Sequence, residues 1–215
     1  AREKYKLGKD VRDWKVYLAQ EDLKSGKGLS KDYIAPILYR PFDIRYTYYT
    51  GKTRGFICMP RPEVMRHIVQ GKNIGIIATR TTKDEWDCLI TKNICGHKSC
   101  AAYDINTMFP LYLYDITGKA CNFTSIFITE LEKILNLIFI PDGQGDLKTT
   151  VGPEDIFHYA YAVFHSPTYR SRYAAFLKQD FPRLPLTADR VLFQRLCELG
   201  AELTALHLLE RDAPA

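Results

Sequence analysis

The chain has 215 residues, 46% hydrophobic and 26% charged, an ordinary composition for a globular protein of one or two domains. Its longest apolar run, near 131–140, falls short of the roughly 18 residues that span a bilayer, and its first residues lack a signal-peptide core. We therefore expect neither a membrane protein nor a secreted one. The net charge of +5 is uneven, because residues 1–120 carry +8 and residues 121–215 carry −3, which favours a polyanionic partner for the first half.

Residues 1–35 form a polar, lysine-rich lead-in segment. Apolar residues from Asp13 to Leu23 follow a roughly helical spacing, and the turn Ser25–Gly28, with its two glycines, ends that predicted helix. We assign this segment no chemistry of its own, because a packed Trp14 with solvated charges around it explains its composition.

Residues 36–150 are predicted to form a β-rich region. In the stretch Tyr39–Tyr49, Pro41 prevents a helix, and the alternation that follows suits a strand with Tyr46 and Tyr48 on one face. A segment this rich in arginine and aromatic residues at the start of a strand forms either a rigid structural corner or a surface that binds an anion. Further predicted strands are Ile74–Ala78, Cys88–Thr91 and Phe109–Tyr114, and predicted helices begin at Pro62 and span Ser125–Ile140.

Residues 151–215 are predicted to be helical. One helix opens at Pro153 and stops at Ser166-Pro167, a second covers Tyr169–Lys178, and a third runs from about Ala188 to the end of the chain. The whole is an α+β fold, in which a mixed, β-rich domain precedes a helical C-terminal subdomain.

Two sets of residues have the composition of a metal site but not its usual spacing. Cys88, Cys95, His97 and Cys100 lack the tight cysteine pair of a zinc knuckle, so buried thiols are the simpler interpretation and no metal is assigned. Asp142, Asp146 and Lys148 resemble a metal-dependent nuclease triad only superficially, since they share one glycine-rich loop. Irregular cysteine spacing also favours a reducing, cytoplasmic location.

The remaining candidates are basic and hydroxyl-bearing residues at predicted turns and strand ends. Arginine can read guanine edges and clamp phosphates, whereas lysine and hydroxyl groups mostly contact phosphates. Each could equally be a solvated loop residue. The candidate DNA-binding residues are Lys52, Arg54, Arg61, Arg66, Arg80, Thr81, Lys83, His97, Lys98 and Ser99.

Several motifs together resemble the C-terminal part of single-chain restriction–modification enzymes of the Type ISP and Type IIG kind. They occur in order along nearly the whole chain. The motifs are Tyr39–Arg45 with Tyr48-Tyr49, Arg61–His67, Phe109–Tyr114, Tyr159–Val163, Ser166–Arg170, Phe176–Arg183 and Leu206–Glu210.

The resemblance implies a target-recognition domain that binds double-stranded DNA for methyltransferase and nuclease domains of the same enzyme. Residues 1–35 would then lead in from the methyltransferase. The asparagine/aspartate-Pro-Pro-aromatic motif of an adenine methyltransferase and its cofactor-binding glycine motif do not occur in the sequence. We therefore expect no catalysis by these residues, and S-adenosylmethionine and magnesium are implied only for the full enzyme.

The resemblance also favours a structural corner at Tyr39–Tyr49, with Arg40 and Arg45 paired to Asp43 or to nearby carbonyls. An alternative function is a helical protein–protein interaction module without DNA affinity of its own. An exposed apolar stripe along Leu192–Leu209 would favour that alternative.

Overall fold

The computed structural model describes residues 2–25, 28–101 and 103–211 and shows the predicted α+β fold. The helices are α1 Val16–Lys24, α2 Pro62–Val69, α3 Ser125–Leu135, α4 Pro153–His165, α5 Pro167–Arg172, α6 Ala174–Leu177 and α7 Arg190–His207. The strands are β1 Ile34–Arg40, β2 Asp43–Tyr48, β3 Gly75–Thr79, β4 Cys88–Thr91, β5 Ile94–Cys95, β6 Asn106–Pro110, β7 Tyr112–Asp115, β8 Gly118–Cys121, β9 Ile138–Phe139 and β10 Thr150–Val151.

The central sheet has the order β4-β3-β6, with both outer strands antiparallel to β3. Every residue of β3 is buried, as its continuous apolar run predicts for a strand covered on both faces. Thr79 at the end of β3 pairs with Asn106 at the start of β6, and Ala78 pairs with Cys88 at the start of β4. The β3–β4 loop and the loop that leads into β6 therefore lie side by side at this edge of the sheet.

A second sheet, of order β2-β1-β5, carries the arginine-rich corner. The Arg45 guanidinium donates to both carboxylate oxygens of Asp43, at 2.7–3.1 Å, and Arg40 donates to the Tyr39 and Lys98 carbonyls. Both guanidinium groups lie over the Tyr39 ring, 4.5 and 4.0 Å from its centre. These contacts confirm the prediction of a structural corner.

The boundary predicted after residue 150 does not separate two cores. One cluster of buried side chains runs from Ile76 in β3 through Leu131 in α3 to Phe193 and Cys197 in α7. The helical subdomain predicted from residue 151 shares this core, since α4 is buried nearly all round and needs the sheet on one side and α7 on the other. A smaller cluster, which includes Leu38, Met65 and Ile77, joins the second sheet to α2 and the central sheet.

Four predicted helices differ from those observed. The one predicted from about Ala188 to the end of the chain spans only Arg190–His207. The helix predicted over Ser125–Ile140 ends at Leu135, because Asn136 adopts a left-handed conformation with φ of 50° and the chain continues as β9. The helix predicted over Tyr169–Lys178 is divided into α5 and α6 at Tyr173, and α1 begins at Val16 instead of Asp13. Gly26, Lys27 and the end of the third predicted helix beyond residue 211 lie outside the described residues.

A partly buried polar cluster joins β4 to the C-terminal helices. Arg170 donates to Asp87 at 2.6 Å and to Nδ1 of His165 at 3.1 Å, while Nε2 of His165 lies 3.5 Å from the Cys88 thiol. Because a guanidinium can only donate, Nδ1 of His165 accepts and its neutral ring carries the proton on Nε2. Burial and the Arg170 charge lower the pKa of His165 to about 4.

No helix in the described ranges combines the length and the apolar character needed to cross a bilayer.

We expect Gly200→Ala to lower the free energy of unfolding by about 1–2 kcal/mol. Gly200 lies in α7 where that helix meets α4, and an added methyl group would overlap the His158 carbonyl. Overpacking of this kind costs about 1–3 kcal/mol, of which the better helix propensity of alanine recovers up to about 1. Urea unfolding measures the change. Glu202→Ala, on the exposed side of α7, is the control, and an unchanged midpoint for Gly200→Ala would contradict this packing.

We also expect the protein to lose stability as the pH falls from about 6.5, the ordinary histidine pKa, towards 4. His165 has a lowered pKa in the folded state, so the unfolded chain binds more protons and acid favours unfolding. His165→Gln should reduce the pH slope of the unfolding free energy by at most one proton, about 1.4 kcal/mol per pH unit. Urea titrations at pH 7, 6 and 5 measure the slope. Equal slopes in wild type and His165→Gln would show that this ring does not titrate as described.

Candidate nucleic-acid interface

We define the loop surface as three loops: the β2–α2 loop of residues 50–60, the β3–β4 loop of residues 80–87, and the loop before β6, of residues 95–101 and 103–105. The Thr82 hydroxyl donates to Asp104 at 2.9 Å, which joins the second loop to the third. The first loop meets the third around a small pocket lined by residues 57–60 and 95–97. Most of the predicted DNA-binding residues therefore belong to loops that contact one another.

The Arg61 side chain stabilises the third loop by hydrogen bonds to its backbone. Its guanidinium is half-buried and donates to the carbonyls of Asn106 at 2.9 Å, Cys95 at 3.3 Å and Gly96 at 3.5 Å. Arg61 precedes α2 in a left-handed conformation with φ of 49°, which helps to aim its side chain at the third loop. Its Nη1 and Nη2 groups already donate to the protein, so we assign Arg61 a supporting role in place of its predicted DNA contact.

Ser99 also has a structural role. It is only 1% exposed, its hydroxyl donates to the Leu38 carbonyl at 2.8 Å, and its amide donates to the Asn106 side chain at 2.6 Å. Asn106 is fully buried and donates in turn to the Gly96 carbonyl. Because Ser99 cannot reach a ligand without leaving these partners, its predicted DNA contact is corrected to a loop-fixing contact.

The first loop is fixed by Asp22 of α1. The Asp22 carboxylate is 2% exposed and accepts from the Thr50 hydroxyl at 2.9 Å and from the Phe56 amide at 2.7 Å. A side chain at Gly55 would collide with this carboxylate, so only glycine lets the loop approach so closely. The backbone that carries Lys52 and Arg54 is therefore anchored at both ends.

The remaining predicted residues differ in how available they are. Arg80 is exposed but pairs with Asp180 at 3.1 Å, and Arg66 lies farther along α2, near the β7–β8 hairpin, away from the loop surface. The other predicted residues are exposed, apart from the half-buried Lys98. None of their charged groups forms a salt bridge within the described residues. They are Lys52, Arg54, Thr81, Lys83, His97 and Lys98.

His97 is held in its neutral form by its surroundings. Partial burial lowers its pKa, and the nearby positive charges of Arg61 and Lys98 lower it further. At neutral pH the ring therefore offers one donor and one acceptor, which suits a base edge better than a phosphate.

Three apolar side chains on the loop surface were not predicted. Met59 is 64% exposed, Tyr103 is 80% exposed and Ile105 is 58% exposed. Aromatic and apolar groups among cations are typical of surfaces that contact bases and deoxyribose. Sequence reasoning missed them because β-rich segments contain many such residues and only the fold shows which ones face solvent.

The residues of the two candidate metal sites contact other groups of the protein instead of one another. Cys88 lies beside His165, Cys95 beside Arg61 and Asn106, and the Cys100 thiol donates to the Ile77 carbonyl. Burial raises the pKa of all three thiols. In the part of the chain that the structure describes, no three His, Cys, Asp or Glu side chains are grouped to hold a metal.

The residues of the nuclease-like loop are likewise engaged in structure. Asp142 pairs with Lys119 at 2.5 Å. Asp146 accepts from the amides of Lys148, Thr149 and Thr150, which hold the pKa of its carboxyl far below the usual range. The Lys148 carbonyl accepts from Arg190. These carboxylates stabilise the turn before β10 and do not converge.

Comparisons with known proteins give one consistent result. A family model described as the Type ISP C-terminal specificity domain matches residues 1–215, the whole chain. No curated protein sequence matches the chain.

Three solved structures share the fold. A cryo-EM structure of the DrdV–DNA complex has 27% identity and a TM-score of 0.70, covering 99% of this chain and 20% of that one. A nuclease-deletion mutant of the Type ISP restriction-modification enzyme LlaGI, in complex with a DNA substrate mimic, has 24% identity and a TM-score of 0.62, covering 88% and 15%. The ATP-dependent Type ISP restriction-modification enzyme LlaBIII, bound to DNA, has 21% identity and a TM-score of 0.65, covering 94% and 12%. This chain thus spans a fifth or less of each of those chains.

We expect Arg61→Lys to lower the free energy of unfolding by about 1–3 kcal/mol, because a lysine cannot satisfy the carbonyls that the guanidinium now serves. Arg66→Lys is the matched control on the same helix and should change stability by less than about 0.5 kcal/mol. Urea unfolding monitored by tyrosine and tryptophan fluorescence separates the two. An Arg61→Lys protein of wild-type stability but weakened DNA binding would instead return Arg61 to the DNA contacts.

Proposed function

This chain belongs to the family of Type ISP C-terminal specificity domains, and from that premise we propose that it recognises a double-stranded DNA sequence for a restriction–modification enzyme. The loop surface is the observation that carries the proposal. It gathers cations that form no salt bridge with any described residue, a histidine whose pKa is lowered, and exposed apolar groups, on a backbone fixed by Asp22, Arg61 and Asn106.

The proposed contacts divide by chemistry. Lys52, Arg54, Lys83 and Lys98 would neutralise phosphates and set the register of the domain on the duplex. Thr81 and His97 would face base edges, where a donor and an acceptor at fixed positions distinguish one base pair from another. Arg80 could join them only by exchanging Asp180 for a DNA acceptor.

A rigid backbone supports sequence reading in particular. Reading a base edge demands that donors and acceptors hold their positions within hydrogen-bonding tolerance. The third loop meets this demand through the buried Asn106 and Ser99, which fix the backbone on either side of His97 and Lys98.

The remainder of the proposed activity belongs to a longer polypeptide. Adenine methylation and cleavage would be carried out by methyltransferase and nuclease domains of a Type ISP or Type IIG kind of enzyme in the cytoplasm. S-adenosylmethionine and magnesium, which the family resemblance implies for the full enzyme, would be bound there. The specificity domain itself would position the DNA and leave the chemistry to those domains.

The helical interaction module is the less favoured function. Val191, Leu192 and Leu199 are exposed on α7, so this helix could pack on another part of the longer polypeptide. Such a contact would accompany DNA binding, and DNA-bound structures with the same fold favour DNA as the principal partner.

We expect Lys83→Ala and Lys98→Ala together to weaken duplex binding about 10-fold or more near 0.1 M salt and to reduce the slope of log K against log salt by about 2. Each substitution removes one proposed phosphate contact. Fluorescence anisotropy with a labelled duplex over a salt series measures both quantities.

Lys133→Ala is the control for this experiment, because it removes an exposed lysine on α3, outside the loop surface. Binding by wild type that is indifferent to salt, or equal losses in the control and the double variant, would refute the proposed surface.

A further inference from the structure

The segment 167–186 lies directly against the second loop of the proposed DNA surface. The Thr82 amide donates to the Lys178 carbonyl at 3.2 Å, and Arg80 pairs with Asp180 at 3.1 Å. Phe181 packs edge-on against Phe109 of β6, with 5.2 Å between ring centres. The segment therefore continues the loop surface without a break.

This segment carries an aromatic groove open to solvent, which we call the aromatic shelf and define by Tyr169, Tyr173, Phe176, Phe181 and Arg183. Tyr173 is 40% exposed and Phe176 is 53% exposed, although each would be stabilised by burial. Apolar area left open beside a charged rim is typical of a binding surface.

The shelf is rigid despite its extended backbone. The Tyr169 hydroxyl donates to the Arg183 carbonyl at 2.8 Å, and the Tyr159 hydroxyl donates to the Pro185 carbonyl at 2.7 Å. Two prolines, Pro182 and Pro185, further restrict the segment. A ligand would thus meet a preformed groove and lose little entropy in ordering it.

The rim of the shelf is cationic. Arg172, Lys178 and Arg183 are exposed, and none forms a salt bridge among the residues that the structure describes. The Arg183 guanidinium rests on the Phe176 ring, 5.3 Å from its centre, which holds it in place. The nearby acid Asp180 is already paired with Arg80.

We propose that the aromatic shelf is a second DNA contact, over which one strand of the duplex continues after leaving the loop surface. Lys178 and Arg183 contact its phosphates, and Phe176 packs against deoxyribose. The inference rests on the proposed function, because it extends the same DNA track. DNA fits better than an apolar peptide, since the rim is cationic and the shelf joins a surface already assigned to DNA.

The test compares Lys178→Ala/Arg183→Ala with the loop-surface double variant and with Lys133→Ala, all in the 215-residue chain. The shelf variant should bind a labelled duplex about 10-fold more weakly near 0.1 M salt, with the salt slope reduced by about 2.

Phe176→Ala should weaken binding without changing the slope, because it removes no charge. Lys178 and Arg183 are both exposed, so the shelf variant should unfold at the same temperature as the wild type. A thermal unfolding measurement therefore checks that the variant is folded.

The outcomes separate the two proposals. Loss of binding in the loop-surface variant alone, with the shelf variant equal to Lys133→Ala, overturns the inference and leaves the proposed function standing. Wild type without salt-dependent duplex binding overturns both. Losses in both variants, with reduced slopes, support a DNA track across both surfaces.

Discussion

The Arg61 guanidinium and the three carbonyls it serves hold together the part of the molecule that faces a ligand. These carbonyls lie at the end of β5, at the start of β6 and in the loop between them, and leaving them buried and unsatisfied would cost more than most single contacts return. One arginine, placed by a left-handed residue at the start of α2, satisfies the carbonyls of Cys95, Gly96 and Asn106 together. The third loop can therefore present His97 and Lys98 from a fixed backbone although few of its residues belong to a strand.

The helical tail is part of the same structural unit as the sheet. Tyr161, Ile156 and Phe193 are almost completely buried in a core that also contains β3 and β4, so the sheet cannot form its full core without α4 and α7. Polar contacts reinforce this union, since Arg170 joins Asp87 to His165 and Asp180 meets Arg80. Residues on α6 and the following linker consequently sit beside loops that lie about a hundred positions earlier in the chain.

The arginines of the family motifs differ from the cations of the loop surface in what they contact. Arg40, Arg45 and Arg61 belong to motifs that identify the family, and each is engaged by the protein itself. Lys52, Lys83 and Lys98 form no salt bridge within the described residues and lie in loops outside those motifs. This division is physically reasonable under the proposed function, because scaffold residues keep their internal contacts while surface loops can contact a ligand.

The sequence by itself determined the family, the α+β class, the arginine corner, the buried strand β3 and the limits of α4, because these depend on local patterns: periodicity, proline positions and motif order. It could not place Ser99 or Arg61, since a serine or arginine in a loop looks alike whether it faces water or a carbonyl. It did not determine what the helical subdomain packs against, because periodicity shows that a helix has an apolar face but not what covers it. Only the tertiary structure decided these points. Hydrogen bonds such as Ser99 to Leu38 and Arg61 to Asn106 link residues more than 40 positions apart, and no local pattern records such pairs.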